Sequence, residues 1–173
     1  EIYNYQTLRE ELIAAGHTFT TKSDTEVLLH GYEQWGVDLL QRVRGMFTFV
    51  IWDKNKQELF GARDHFGIKP FYYAKMNGTF MYASEIKSLL RHPDFVKELN
   101  AEALKPYMTF QYPAIGETFF KGVYKLPEGH YFTYRDGKMD IHRYYDEDFR
   151  EGKQKLGELV NSIDQTVCDS VKA

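Results

Sequence analysis

Cysteine is almost absent: Cys168 is the only one in 173 residues. One thiol excludes an internal disulfide and any metal site built on paired thiolates. Long apolar runs are missing as well. Nothing approaches the roughly 20 apolar residues of a membrane span, and no basic–apolar–small leader opens the sequence, so the expectation is a cytoplasmic protein without a membrane partner. An excess of basic residues is also lacking. Lys and Arg number 22 against 25 Asp and Glu, a net charge of −3, and no basic stripe marks a nucleic-acid partner. No Gly-x-Ser-x-Gly elbow and no phosphate-cradling glycine loop occurs. The six histidines form no i, i+4 pair and have no cysteine beside them, so no metal site is expected.

What is present suits a folded core. Apolar residues make up 43% of the chain and aromatic residues 16%, many of them in strand-like runs, which points to packed sheets rather than a helical bundle. The first residue is Glu1, and it already stands in a run that reads as structured, as in a segment of a longer chain.

Residues 4–15 read as a helix capped by Asn4, with Leu8, Leu12 and Ile13 on one face and Gly16 as its stop. His17 to Thr21 is short and β-branched, a strand signal. Ser23-Asp24-Thr25-Glu26 has the form of a capping box, Ser23 at the N-cap and Glu26 reaching back. The helix it opens runs to Trp35 with Val27, Leu28, Tyr32 and Trp35 inward. Gly36 ends it, and residues 37–43 make a second short helix.

The period then changes. Residues 46–53, 57–64, 71–76 and 79–85 read as four consecutive strands of an antiparallel meander, the last two joined by Asn77-Gly78. Their density of apolar residues implies cover on both faces, helices on one and a second sheet on the other. A helix ends near Pro93. Asn100 caps another that Pro106 bends or ends. Residues 122–145 return to strands, with turns at Pro127-Glu128-Gly129 and Asp136-Gly137. Residues 114–120 carry no clear pattern. Leu156, Val160, Ile163, Val167 and Val171 then recur at helical spacing, a stripe that either packs back on the sheets or meets a downstream domain.

Few residues are candidates for chemistry. Cys168 has no histidine near it in sequence and reads as a small buried or half-buried hydrophobe. Asp24 stands at a helix N-terminus, where the free N–H groups favour a charged carboxylate able to hold an ammonium, or alternatively supplement the cap. Glu1 is open in the same way, as a ligand or a solvated carboxylate. Arg63 and Asp64 leave a strand toward opposite faces and so need separate partners. With Gly67 and Pro70 behind them, they read as a structural clamp rather than a site rim. No catalytic apparatus is complete in these residues.

In order along the chain, residues 1–12, "SDTEVLLHGYEQWG", "RGMFTFVIWD", "LFGARDHFGIKPFYY" and "YASEIKSLL" resemble the amidotransferase domain of glutamine-hydrolysing asparagine synthetases. The resemblance implies an α+β fold of the N-terminal-nucleophile hydrolase type, two antiparallel sheets stacked between helix layers, here lacking its first strands. It places the domain at 1–149 and a linker helix entering a synthetase domain at 150–173. It implies glutamine as substrate, with Glu1 and Asp24 binding its α-ammonium. It implies no catalytic residue here, because the family's cysteine nucleophile, its carboxylate-binding arginine and its oxyanion-hole Asn-Gly would all precede Glu1. It implies no cofactor in these residues, with ATP and magnesium serving the missing C-terminal synthetase domain, a partner alongside a homodimer. The acceptor, aspartate or another acid, stays open, as does a non-catalytic amidotransferase-like binding module. Loss of a central strand would expose an apolar sheet edge and favour self-association.

Overall fold

The computed structural model describes residues 1–112, 116–149, 152 and 155–172. It divides into two compact units: Glu1 with Gly45–Tyr145, and Ile2–Arg44 with Asp146–Ala173.

The first unit is built on two antiparallel sheets. Strands β1 (Thr48–Asp53), β2 (Glu58–Arg63), β6 (His130–Arg135) and β7 (Lys138–Arg143) form one, in the order β1-β2-β6-β7. Strands β3 (Tyr72–Met76), β4 (Thr79–Ala83) and β5 (Val123–Lys125) form the other, in the order β4-β3-β5. The hairpin turns have the local chemistry that their dipeptides foretell. Asn77 and Gly78 both hold positive φ, +50° and +83°, as do Asp136 and Gly137 at +50° and +74°. That is the geometry whose twist matches the flanking strands.

The sheets meet through Phe71, Leu126 and Phe132, all buried, with Val50, Leu59, Tyr73, Phe80 and Tyr134 packed around them. Phe80 of one sheet stacks on Tyr134 of the other at 4.2 Å between centroids. The far face of the smaller sheet buries Ala74, Met81 and Val123 with Leu89 of the one-turn helix α3 (Ile86–Leu89). Helix α4 (Ala101–Phe110) continues past Pro106, which therefore does not end it. Proline there removes only the bond to the Glu102 carbonyl, and Glu102 is exposed, so water replaces the lost donor. Asn100 stands at its N-cap, yet its amide donates to the Thr118 carbonyl at 3.1 Å instead of capping.

The four consecutive strands are therefore not one meander. β1 and β2 pair in one sheet and β3 and β4 in the other, and β6 takes the place beside β2. The connection between them explains the split. Arg63 is buried and donates from Nε to the Lys69 carbonyl (2.7 Å), from Nη1 to the Leu126 carbonyl (2.6 Å) and from Nη2 to the Gly67 carbonyl. Asp64, also buried, accepts the backbone N–H groups of Ile68 and Lys69, each at 2.9 Å. Its own carbonyl accepts from Gly67 and Gly129, and the Tyr144 hydroxyl donates to the Arg63 carbonyl at 2.7 Å. Arginine and aspartate thus fold residues 64–70 into a tight bend that sends the chain to the second sheet. Gly67, at φ +63°, leaves no room for a side chain, since a Cβ would lie 2.7 Å from Arg63 Nη2. Burial lowers the Arg63 pKa, with Asp64 and Glu128 opposing that shift.

In the second unit, α1 (Tyr5–Ala14) buries Leu8 and Leu12. Ile13 is 46% exposed, because one residue is a 100° turn from Leu12 and a larger turn from Leu8. Asn4 does not cap it. Its amide donates to the Arg42 carbonyl and accepts from the Arg44 N–H, tying the two ends of the segment together. Helix α2 (Asp24–Trp35) buries Val27, Leu28, Gly31 and Tyr32. Trp35 is half-buried under the Arg42 guanidinium, 4.4 Å from the ring centroid. A 3-10 helix, Gly36–Gln41, follows and buries Leu39 and Leu40. In α5 (Leu156–Lys172) no residue is buried, including the five apolar residues of its stripe and Cys168, which is exposed rather than tucked in. The linker was expected from residue 150; residues 150, 151, 153 and 154 lie outside the described ones. Among the described residues no helix is long and apolar enough to cross a membrane.

Two outcomes test these arrangements. Arg63→Met should lower unfolding stability by about 3–5 kcal/mol in urea titrations, since one buried and two part-buried carbonyls lose a charged donor and Asp64 stays buried without its neighbouring charge. Asp64→Asn should cost less, because the amide oxygen still accepts one of the two N–H groups.

Candidate functional site

The first turn of α2 gathers two carboxylates with different tasks. Ser23 Oγ accepts from the Thr25 N–H at 3.1 Å and caps the helix. Glu26 does not complete the box by reaching Ser23, whose own N–H goes to Thr21 Oγ1. Instead Glu26 Oε1 accepts from the Thr20 N–H (2.8 Å) and hydroxyl (3.0 Å). Its Oε2 accepts from the Thr21 N–H (2.7 Å) and hydroxyl. Four donors on one carboxylate explain why residues 17–21 are not the expected strand: the amides of Thr20 and Thr21 are committed to Glu26, not to a ladder. The same donors, the Thr20 N–H foremost, draw the Glu26 pKa from 4.5 down to about 2. A lowered carboxylate pKa adds stability above the unfolded value, and that stability is lost as pH falls from about 4.5 toward 2. Acid unfolding followed by circular dichroism should therefore show a stability loss in that window which Glu26→Gln largely removes.

Asp24 is half-buried at the first helical position. It is not wholly free, as the sequence suggested. Oδ2 accepts the N–H of Ile2 at 3.1 Å, while Oδ1 accepts no hydrogen bond among the described residues. One oxygen thus holds the chain at residue 2, and the other keeps its lone pairs, at a helix N-terminus where negative charge is favoured. Glu1 is exposed and, among the described residues, held by its main chain alone: its amino group donates to the Met46 carbonyl at 2.8 Å, and its carbonyl accepts from the Met46 N–H at 3.0 Å. The next carbonyl, that of Phe47, accepts the Asp64 N–H at 2.9 Å. Glu1 therefore stands two links of main-chain bonding from the Arg63–Asp64 bend.

The sheet unit also holds a cavity of about 670 Å³, lined in part by Arg63, Tyr72, Lys125 and Glu128. Neither Glu1 nor Asp24 lines it. Burial there, with Arg63 adding to it, lowers the Lys125 pKa. Cys168 is exposed on α5, and His65 is a half-buried imidazole of the sheet unit, its pKa lowered by burial against the Phe47, Tyr144 and Tyr145 rings. Among the described residues neither has the paired acid–base partner a nucleophile needs. Sequence reasoning missed the Ile2 amide as the partner of Asp24, the route of Glu26 to residues 20 and 21, and the convergence of His17 with His30. Only the i, i+3 spacing of His30 and Glu33 on one face of α2 was there to be found.

Comparison with known proteins agrees with this architecture. The chain is 44% identical over 172 residues to asparagine synthetase [glutamine-hydrolyzing] 1 of Bacillus subtilis, covering 99% of this chain and 27% of the relative. It is 40% identical over 179 residues to a putative asparagine synthetase [glutamine-hydrolyzing] of Mycobacterium tuberculosis, covering all of this chain and again 27% of the relative. It thus spans about a quarter of the length of these curated relatives. Among solved structures it resembles glutamine phosphoribosylpyrophosphate amidotransferase of B. subtilis, with a TM-score of 0.56 and 22% identity over 84% of this chain and 28% of that one. That likeness shows the fold, the α+β antiparallel-sheet fold of N-terminal-nucleophile amidotransferases. A model of the glutamine amidotransferase domain matches residues 1–145. The chain belongs to the glutamine amidotransferase domain family.

Proposed function

We propose that this chain is the substrate-ammonium end of a glutaminase domain, extending to residue 149, in a glutamine-dependent asparagine synthetase. The observation that carries the reading is Asp24: a half-buried carboxylate at the N-terminus of α2, with Oδ2 fixed by the Ile2 amide and Oδ1 open. The resemblance of Asp24 and Glu1 to the family's ammonium-binding carboxylates supports the same role for both. Their task is to orient glutamine, not to attack it. A fixed carboxylate offers an ammonium charge-assisted hydrogen bonds and costs little reorganisation on binding.

The bond-making step belongs to groups that these residues do not supply. The only cysteine is exposed on α5, a helix without a histidine, so amide attack rests on a nucleophile elsewhere in the whole protein. In this reading the whole protein releases ammonia from glutamine in the cytoplasm and transfers it to aspartate on a synthetase domain that binds ATP and magnesium. Helix α5 leads into that domain, and two copies can pair as a homodimer. Arg63 and Asp64 serve as the clamp behind Glu1, through the Phe47 and Met46 main chain.

Two outcomes test the proposal. In the whole enzyme, Asp24→Asn keeps an oxygen for the Ile2 N–H but loses the charge. It should raise the glutamine KM by about tenfold to a hundredfold, the worth of a charged hydrogen bond, and leave ammonia-dependent asparagine synthesis unchanged. An unaltered glutamine KM defeats the role of Asp24. The 173-residue chain alone should release no ammonia from glutamine in a coupled assay.

A further inference from the structure

Away from Asp24, two imidazoles and a carboxylate of the helical unit converge. His30 Nδ1 lies 2.8 Å from Glu33 Oε2, and His17 Nδ1 lies 3.7 Å from the same oxygen. The coordinating atoms of the three side chains all fall within 4.8 Å of one another. The two rings sit 5.0 Å apart between centroids, and Phe19 packs edge-on against His30 at 4.8 Å. Both histidine side chains are only 18% exposed, whereas Glu33 is 53% exposed and opens the cluster to water.

The far nitrogens decide what this convergence means. His17 Nε2 lies 3.0 Å from Gln34 Oε1, an acceptor, so that nitrogen carries the proton. His30 Nε2 faces Glu26 Oε1 at 3.8 Å, and Glu26 stays ionised because four donors hold it. In the metal-free protein His30 Nδ1, at 2.8 Å, donates to Glu33 Oε2, and a metal ion bound at that nitrogen would take the place of its proton. The three side chains thus bring two ring nitrogens and a carboxylate oxygen within reach of one cation. His17 matches the pattern of metal-bound imidazoles, whose distal N–H is donated to an oxygen acceptor that sets tautomer and ring orientation.

We propose that His17 Nδ1, His30 Nδ1 and Glu33 Oε2 form a binding site for a zinc-class divalent cation, with water as the fourth ligand. Tetrahedral bonds of about 2.0–2.1 Å set ligand atoms about 3.3 Å apart, between the 2.8 Å and 3.7 Å separations here. A nitrogen–nitrogen–oxygen donor set suits zinc, and calcium or magnesium would demand more oxygen ligands. Binding would exchange the weak pairing of these groups for metal bonds and release any proton held at Nδ1. Its structural effect is to pin residue 17, and with it the loop that leads to Ser23 and Asp24, onto α2. Zinc here would be a fastener of the loop.

The test uses the untagged full chain and zinc alone. Isothermal titration should give one Zn²⁺ per chain, cobalt should give the visible absorption of a tetrahedral site, and zinc should raise the melting temperature. Glu33→Gln, at an exposed position that leaves the fold intact by circular dichroism, and His17→Asn should each weaken zinc about tenfold or more. Gln34→Leu, which removes only the distal acceptor, should weaken it less, and His92→Asn should change nothing. The proposal falls if no zinc binds, or if His92→Asn weakens binding as much as Glu33→Gln. It falls equally if the His17 and His30 titrations followed by NMR are the same with and without zinc, leaving protons as the only cations there.

Discussion

The first turn of α2 depends on a division of labour between two carboxylates two residues apart. Glu26 turns back along its own chain and takes every donor that Thr20 and Thr21 offer. That leaves Asp24 to face the amide of Ile2. Were Glu26 to complete a reciprocal capping box, Thr20 and Thr21 would have four donors to satisfy elsewhere, and the approach to Ser23 would lose its shape. A cap made by serine, a loop held by glutamate and a ligand position left to aspartate are therefore one arrangement. Its members all lie within seven residues of sequence, which is why a short stretch can encode it.

The sheet unit solves a different problem, how to divide consecutive strands between two sheets. Strand patterning alone favours pairing with the next strand in sequence, and β1–β2 and β3–β4 do pair that way. Between the two hairpins, the buried Arg63 guanidinium replaces a ladder with two carbonyl bonds inside the bend and a third to Leu126. Asp64 supplies acceptors for the two amides that leave it. A buried guanidinium is costly unless its donors are met, and here the bend and the Leu126 carbonyl meet them. The charge is therefore spent on topology, and the place beside β2 is left to β6.

What could be read in the sequence follows the range of the interactions. Asn77-Gly78 and Asp136-Gly137 were legible because positive φ is a property of the dipeptide itself. The span of α2 was legible because its cap and its glycine stop are local. The strand expected at His17–Thr21 failed because β-branched propensity was outweighed by a carboxylate five and six residues on. The single meander failed because nothing in the alternation of apolar residues says which sheet a strand joins. Asn4 and Asn100 both stand where capping residues stand, yet each spends its amide on a segment distant in sequence, residues 42–44 and Thr118. Position was legible there and partner was not. Of the candidate site, the carboxylate of Asp24 was legible from its place on the helix, but its half-engagement with Ile2 was not.

That half-engagement sharpens the chemical argument. A carboxylate with both oxygens in water must be ordered anew each time a ligand binds. One with both oxygens on backbone amides has little left to offer. Asp24 sits between these limits: the Ile2 N–H fixes the plane of the group through Oδ2, and Oδ1 is held in place without a partner among the described residues. The same bond works in the other direction, setting residue 2 by the helix that carries Asp24. Glu1 is then one covalent step from an anchored amide, while its own main chain pairs both ways with Met46. A side chain that is exposed and has no partner among the described residues can still be well positioned when its backbone is fixed on both sides. For recognising a small cation, that is the cheaper design, because order is built into the main chain and the charged ends remain available.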